Sequence, residues 1–220
     1  MLEVISFTLG PVQTNAYLVA DPATREAAVI DPAWEGQLLL LEAQRRGWRI
    51  GHLWYTHAHF DHIGGAGAIA DGLNPLPLVA LHPADHALWR AEGGASLFGF
   101  RIDPGPEPTI DLFDGQVLLL GDSRIEVRYA PGHTPGHCIF YVSRPAGASS
   151  GLCLCGDLIF QGSVGRTDLP GSDTDALLHS IRSQVFTLPD DTRLLPGHGP
   201  ETTVGYEKKN NPFVGVSPLA

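Results

Sequence analysis

The chain has 220 residues, 43% of them hydrophobic, and a formal net charge of −10, a size that suits one domain with a sizeable core. No stretch approaches the roughly 18 apolar residues of a membrane span, and an acidic balance disfavours contact with phosphate backbones, so membrane and nucleic-acid partners are not expected. The N-terminus, Met1-Leu2-Glu3-Val4-Ile5, lacks the basic start and apolar region of a signal peptide, and the expected compartment is the cytoplasm. Leu2–Leu9 and Asn15–Val19 read as strands around Gly10-Pro11, and Ala27–Ile30 as a short buried strand ending at Asp31. Glu35–Arg46 has helical spacing and stops at Gly47. Ile50–Tyr55 is the next strand, and Gly64–Gly72 a helix of small residues. Leu78–Leu81 reads as a strand and Pro83–Glu92 as a helix with proline near its start. Residues 94–114, rich in Gly and Pro, read as a long surface connection. Strands follow over Gln116–Leu120, Arg124–Tyr129, Cys138–Ser143 and Leu152–Cys155, with Pro145–Gly151 as a hairpin loop. Asp173–Phe186 is an amphipathic helix, and Arg193–Leu195 a last short strand. Three cysteines, Cys138, Cys153 and Cys155, make no disulfide framework; Cys153 and Cys155 share one strand face and read as core residues.

The run Thr56-His57-Ala58-His59-Phe60-Asp61-His62 directly follows an apolar strand. Neutral imidazole and carboxylate suit borderline metals, zinc above all. Four such groups are more than one ion usually takes from so short a loop, so the spacing suggests two ions, with His57 and His59 at one and Asp61 and His62 at the other. Three later strands also end on a potential ligand: Arg124–Tyr129 leads to His133, Leu152–Cys155 to Asp157, and Leu194-Leu195 to His198. Glycine beside each permits tight turns and close backbone approach. His52, His82, His86 and His179 read as ordinary histidines. His137, four residues after His133, is a weaker candidate for a supporting role.

His57-x-His59-x-Asp61-His62 followed by His133, Asp157 and His198 resembles the metal-ligand signature of the metallo-β-lactamase superfamily, in order and context, along most of the chain. The resemblance implies an α/β fold, an αβ/βα four-layer sandwich of two mixed sheets with helices outside, over a single domain spanning residues 1–220. It implies one metal on His57, His59 and His133, a second on Asp61, His62 and His198, and Asp157 bridging them. Asp31 matches a position that supports the ligands by hydrogen bonding. Gly156-Asp157-Leu158-Ile159-Phe160 with Gly165-Arg166-Thr167-Asp168 is similar to glyoxalase II-like hydrolases, where a basic residue nine positions after the bridging aspartate contacts the carboxylate of a glutathione thioester; Arg166 stands there. His198 is followed by Gly199-Pro200-Glu201, and the sequence ends 22 residues after His198, which resembles the short branch of that family without a helical C-terminal domain.

The implied activity is hydrolysis of a small-molecule thioester such as S-lactoylglutathione. Two divalent ions, zinc in first place with iron or manganese as alternatives, would lower the pKa of water from 15.7 to about 7. A hydroxide bridging them, oriented by Asp61 and Asp157, would attack the carbonyl. The alternative is a persulfide dioxygenase-like enzyme, with one iron on His57, His133 and Asp157. A catalytically silent metal-stabilised binding module is the non-enzymatic reading. A β-lactamase is disfavoured by the missing signal peptide, and a superfamily RNase by the length.

Overall fold

The structure is a computed structural model describing residues 2–144 and 150–215. Its first sheet takes β1 (Glu3–Leu9), β2 (Thr14–Asp21), β3 (Glu26–Ile30), β4 (Arg49–Trp54), β5 (Leu78–Leu81) and β6 (Ile110–Asp111) in chain order. The first two pairings are antiparallel and the last three parallel. The second sheet uses β7 (Val117–Leu120), β8 (Ser123–Tyr129), β9 (Cys138–Val142), β10 (Leu152–Gly156), β13 (Arg193–Pro196) and β14 (Thr202–Thr203), while β11 (Ile159–Phe160) and β12 (Ser163–Val164) form a separate hairpin. Within the second sheet only β10 and β13 are parallel.

Period-two side-chain alternation turns the two sheets into layers. Along β9, Cys138, Phe140 and Val142 enter the core between the sheets, where they join Val19, Ile30 and Trp54 of the first sheet and Leu154 and Leu195 of the second. Ile139 and Tyr141 face the other way with Cys153 and Cys155, against Leu177, Ile181 and Val185. Both faces of β9 are therefore covered, which is why every one of its residues is buried. The outer face of the first sheet packs Leu18, Val29 and Leu53 against Leu39 and Ala43 of α1 (Gly36–Arg46) and Ile69 of α3 (Ala66–Asp71). The result is the four-layer αβ/βα sandwich.

The elements differ from the sequence expectations in several places. The helix expected over Gly64–Gly72 is α3, and a separate short helix, α2 (Phe60–Ile63), precedes it inside the histidine loop. The helix expected over Pro83–Glu92 is a 3-10 turn, Pro83–Asp85, followed by α4 (His86–Arg90). The amphipathic helix runs as α5 (Thr174–Ser180), capped by the Asp173 carboxylate on the Ala176 N–H, and continues as a π-turn over Ile181–Val185. The stretch 94–114 is no mere surface connection: it supplies β6 and puts Leu112 into the core between the sheets. Its glycines and prolines hid a two-residue strand too short to carry a periodicity. The segment after β14 is also helical, α6 (Val204–Asn210). The expected Pro145–Gly151 hairpin loop falls on residues 145–149, outside the described residues.

Candidate metal centre

β3 and β4 run parallel, as do β10 and β13, so their C-terminal ends gather at one end of the sandwich. β4 delivers the 56–62 loop, β3 delivers Asp31, β8 delivers His133, β10 delivers Asp157 and β13 delivers His198. Backbone bonds join these ends across the sheets: Cys138 N donates to Thr56 O at 2.7 Å, Asn15 N to Gly197 O at 2.7 Å and Gly197 N to Gly156 O at 2.8 Å. Gly197 permits the last approach, because a Cβ there would sit 2.6 Å from His62 Cε1 and run into the Asp157 carboxylate.

All seven side chains of the sequence signature meet at this end. His57, His59 and His133 form one group, with His59 Nδ1 2.9 Å from His133 Nε2. Asp61, His62 and His198 form a second, in which His198 Nε2 and His62 Nε2 lie 3.3 and 3.5 Å from Asp61 Oδ2. Asp157 stands between them. Its Oδ2 is 3.6 Å from His133 Nε2 and 3.5 Å from His198 Nε2, and its Oδ1 is 3.3 Å from His62 Nε2.

The far nitrogen of four rings is held from behind. His62 Nδ1 meets Asp31 Oδ2 at 3.0 Å, His133 Nδ1 the Arg166 carbonyl at 2.8 Å, His198 Nδ1 the Gln13 carbonyl at 3.2 Å, and His57 Nδ1 the Thr56 hydroxyl at 2.9 Å. Such bonds fix ring orientation and tautomer and leave Nε2 facing inward. Asp31 also accepts from the Thr56 N–H and hydroxyl at 2.7 and 2.6 Å. It holds this position with a left-handed backbone, φ 48°, costly for any residue with a Cβ but more accessible to Asp than to most.

Does a cation fit? His57 Nε2, His62 Nε2 and Asp157 Oδ1 are buried without a hydrogen-bond partner among the described residues; the 3.3 Å approach of the last two lacks hydrogen-bond geometry. Buried polar atoms left unpaired are costly. Imidazole nitrogens and carboxylate oxygens all aimed at common points are satisfied together by divalent ions.

Protonation divides the cluster. Burial pushes His57 well below the usual imidazole range, helped by neighbouring rings, and pushes His59 down to about 3 with His133 opposing its charge. His133 is likewise lowered by burial. For His62 and His198 burial acts in the same direction but is outweighed by Asp157 and Asp61, which hold His62 well above its ordinary value and His198 at about 9. Those imidazolium charges in turn overcome burial at the carboxylates, keeping Asp61 at about 2 and Asp157 well below its ordinary range.

Four supporting residues escaped the sequence reading. The Thr14 hydroxyl donates to Asp61 Oδ2 at 2.7 Å. Asn15 Nδ2 donates to the Pro196 and Gly199 carbonyls at 3.0 and 2.9 Å and holds the His198 turn. Thr56 links Asp31 to His57. The wholly buried Asp85 carboxylate accepts from Ala58 N at 3.1 Å, Thr134 Oγ1 at 2.7 Å and Gly136 N at 2.6 Å, tying the 56–62 loop to the His133 loop. Thr56 stands in the histidine run but carries no ligand chemistry of its own, and Asp85 lies 27 residues from Ala58 and 49 from Thr134, so no spacing rule could have found it.

Other candidates fall elsewhere. His137 is buried, stacks on the His57 ring at 5.0 Å and has no hydrogen-bond partner for either nitrogen among the described residues. His82 stacks on Tyr129 at 4.4 Å, away from the cluster. The Arg166 guanidinium makes a two-pronged surface pair with Asp168, at 2.6 and 2.8 Å; only its carbonyl reaches the cluster. The three cysteines are buried and free, and burial raises each thiol, Cys153 to about 12.

Comparison with known proteins agrees with this geometry. The family model of the metallo-beta-lactamase superfamily matches residues 9–198. The chain is 36% identical to "Probable metallo-hydrolase YqgX" of Bacillus subtilis (strain 168), over 94% of both chains. It is 33% identical to "Hydroxyacylglutathione hydrolase GloC" of Haemophilus influenzae, over 97% of both. Among solved structures, it resembles TTHA1623 in a di-iron-bound form with a TM-score of 0.83 and 42% identity, covering 96% of this chain and 100% of that one. BLEG-1 B3 metallo-beta-lactamase matches with a TM-score of 0.85 and 34% identity over 97% and 99%. ETHE1 from Myxococcus xanthus matches at 0.77 and 26% over 96% and 84%. The chain belongs to the metallo-beta-lactamase superfamily.

Proposed function

We propose that this member of the metallo-β-lactamase superfamily is a metal-dependent hydrolase that cleaves thioesters such as S-lactoylglutathione. The observation that carries the hydrolase reading is the position of Asp157, within 3.3 to 3.6 Å of imidazoles from both groups. That is where a carboxylate shared by two ions belongs. His57, His59 and His133 would hold one divalent ion, and Asp61, His62 and His198 the other. When bound, such a pair lowers the pKa of water to near neutrality and polarises a carbonyl oxygen. The thioester part is supported by the likeness to GloC across nearly the whole of both chains.

The chain's own residues contribute orientation and charge. Asp61, tethered through Oδ2 by the Thr14 hydroxyl, and Asp157 offer carboxylate oxygens that would accept a hydrogen bond from the attacking water and orient it. Asp31 and the Arg166 carbonyl keep His62 and His133 from rotating. A departing thiolate is stable near neutral pH, so a dedicated general acid is not required. The Arg166 side chain would bind a substrate carboxylate by exchanging it for Asp168, a swap between two surface carboxylates that changes little free energy.

The test combines metal analysis by mass spectrometry with three assays on one preparation. The expected result is two metal ions per chain, hydrolysis of S-lactoylglutathione, no oxygen uptake with a persulfide and no β-lactam opening. One iron with persulfide-dependent oxygen uptake would establish the dioxygenase reading instead. β-Lactam turnover without thioester turnover would overturn the substrate assignment.

A further inference from the structure

A cavity of about 280 Å³ opens beside His59. One wall is the 3-10 segment Glu92–Phe98, with Leu88 behind it; the other is Leu169-Pro170, three residues beyond Arg166. Apart from His59 and Ser96, every residue lining it is apolar or glycine. Leu97 and Phe98 are 68% and 43% exposed at its mouth. Large apolar side chains held in water at the edge of a concave site mark a place where something apolar is received. The cavity is continuous with the first group of ligands through His59, so its occupant is part of the substrate.

A thioester carbonyl carries two substituents, an acyl chain and a sulfur-linked carrier. Biological thiol carriers bear carboxylates, phosphates or amides, and burying these among Leu88, Leu97, Phe98 and Leu169 would strip their hydration with no partner in return. The nearby cation, Arg166, is not part of the cavity lining and is 53% exposed, so it would meet a carrier carboxylate outside the cavity. Resting on the thioesterase reading, we propose that this cavity is the acyl subsite and that the chain's preferred substrates are thioesters of medium-length apolar acids rather than of short hydroxy acids. The acyl chain lies between the Glu92–Phe98 segment and Leu169-Pro170, and the polar carrier projects toward solvent.

The experiment uses the metal-loaded protein and N-acetylcysteamine thioesters of acetate, lactate, butyrate and hexanoate, so that only the acyl group changes. Full burial of a methylene is worth about fourfold, and the open mouth reduces that figure. kcat/KM should still rise at least tenfold from acetyl to hexanoyl, with lactoyl below butyryl. Leu97→Asp places a charge at the mouth of an exposed position and should collapse the hexanoyl-to-acetyl ratio at least fivefold. In parallel, calorimetry on the metal-free protein with ketone analogues, in which CH2 replaces the sulfur, should give binding that tightens with chain length and a negative heat-capacity change. A ratio below two that Leu97→Asp leaves unmoved, with acetyl and lactoyl thioesters still hydrolysed, overturns the acyl subsite and leaves the thioesterase reading standing. No turnover of any thioester overturns that reading, and the ketone series then decides the cavity alone: chain-length-independent binding refutes it as an apolar subsite.

Discussion

His57, His59 and His133 meet ring against ring at 4.6 to 4.8 Å, buried, with no carboxylate of their own group. Asp61, His62 and His198 sit a few ångströms away and mix carboxylate with imidazole, and His198 is 27% exposed. The same residue type thus behaves oppositely on the two sides: burial leaves the first group neutral, whereas Asp61 and Asp157 keep the second protonated. A neutral imidazole takes a cation without losing a proton, but a protonated one must first give its proton up. The two halves therefore differ in what an ion must displace on entry, and Asp157 lies within 3.3 to 3.6 Å of imidazoles from both.

The largest effect should come from removing that shared member. Asp157→Ala should lower the metal content of both halves and reduce turnover on the order of 10³-fold or more, the loss expected when water activation fails. Retention of two ions with near-normal turnover would show that Asp157 bridges nothing. A selective pair comes next. His198→Ala leaves the three-histidine group whole and should retain about one ion per chain, whereas His59→Ala should disturb the first group and spare the second. Equal loss from both variants, read by metal analysis, would mean that the halves do not fill independently.

A smaller effect separates the supports behind each half. Asp31 holds His62 and Thr56, and Asp85 holds the backbones flanking His57 and His133. Asp31→Asn should weaken retention of the second ion by about 10- to 100-fold, the usual consequence of losing a partner that orients a ligand. Asp85→Asn should act on the first ion, because it loosens Ala58 and the His133 loop. Competition against a chelator of graded strength distinguishes the two, and a reversed pattern would break the assignment of supports to halves.

These supports also mark the boundary of what the sequence could disclose. The seven candidate ligands were legible because each comes after an apolar strand and carries unusual chemistry, and the layers because strand and helix periodicities differ. Thr14, Asn15, Thr56 and Asp85 were not, since a lone threonine, asparagine or aspartate has many ordinary roles and its partner is fixed only by the tertiary fold. Leu97, Phe98 and Leu169 escaped for a related reason: apolar residues in Gly- and Pro-rich stretches show no period, and their common cavity exists only once segments some seventy residues apart are brought together. Arg166 shows the converse. Its position in the motif drew attention to the guanidinium, whereas the structure gives its carbonyl the contact with His133.

The mildest test compares the halves through the pH dependence of stability in chelator-stripped protein. His198 rises to about 9 on folding, from an ordinary value of 6.5. Its contribution is fully present below pH 6.5 and is lost as pH rises toward 9, because the unfolded chain then releases the proton first. His59 moves the other way, to about 3. The unfolded imidazole takes up a proton below 6.5 that the folded one refuses, so stability falls as pH drops from 6.5 toward 3. Asp61, held at about 2, adds a further loss only below its ordinary value of 3.8. Each limb has a slope of at most about 1.4 kcal/mol per pH unit per group. Denaturation midpoints of the metal-free protein should therefore peak near pH 6.5 and decline on both sides. The His59→Ala variant should flatten the acid limb and His198→Ala the alkaline one. A midpoint that rises steadily from pH 5 to 9, unaltered by either substitution, would show that the two halves do not hold opposite protonation states, and the contrast between them would reduce to the presence of Asp61.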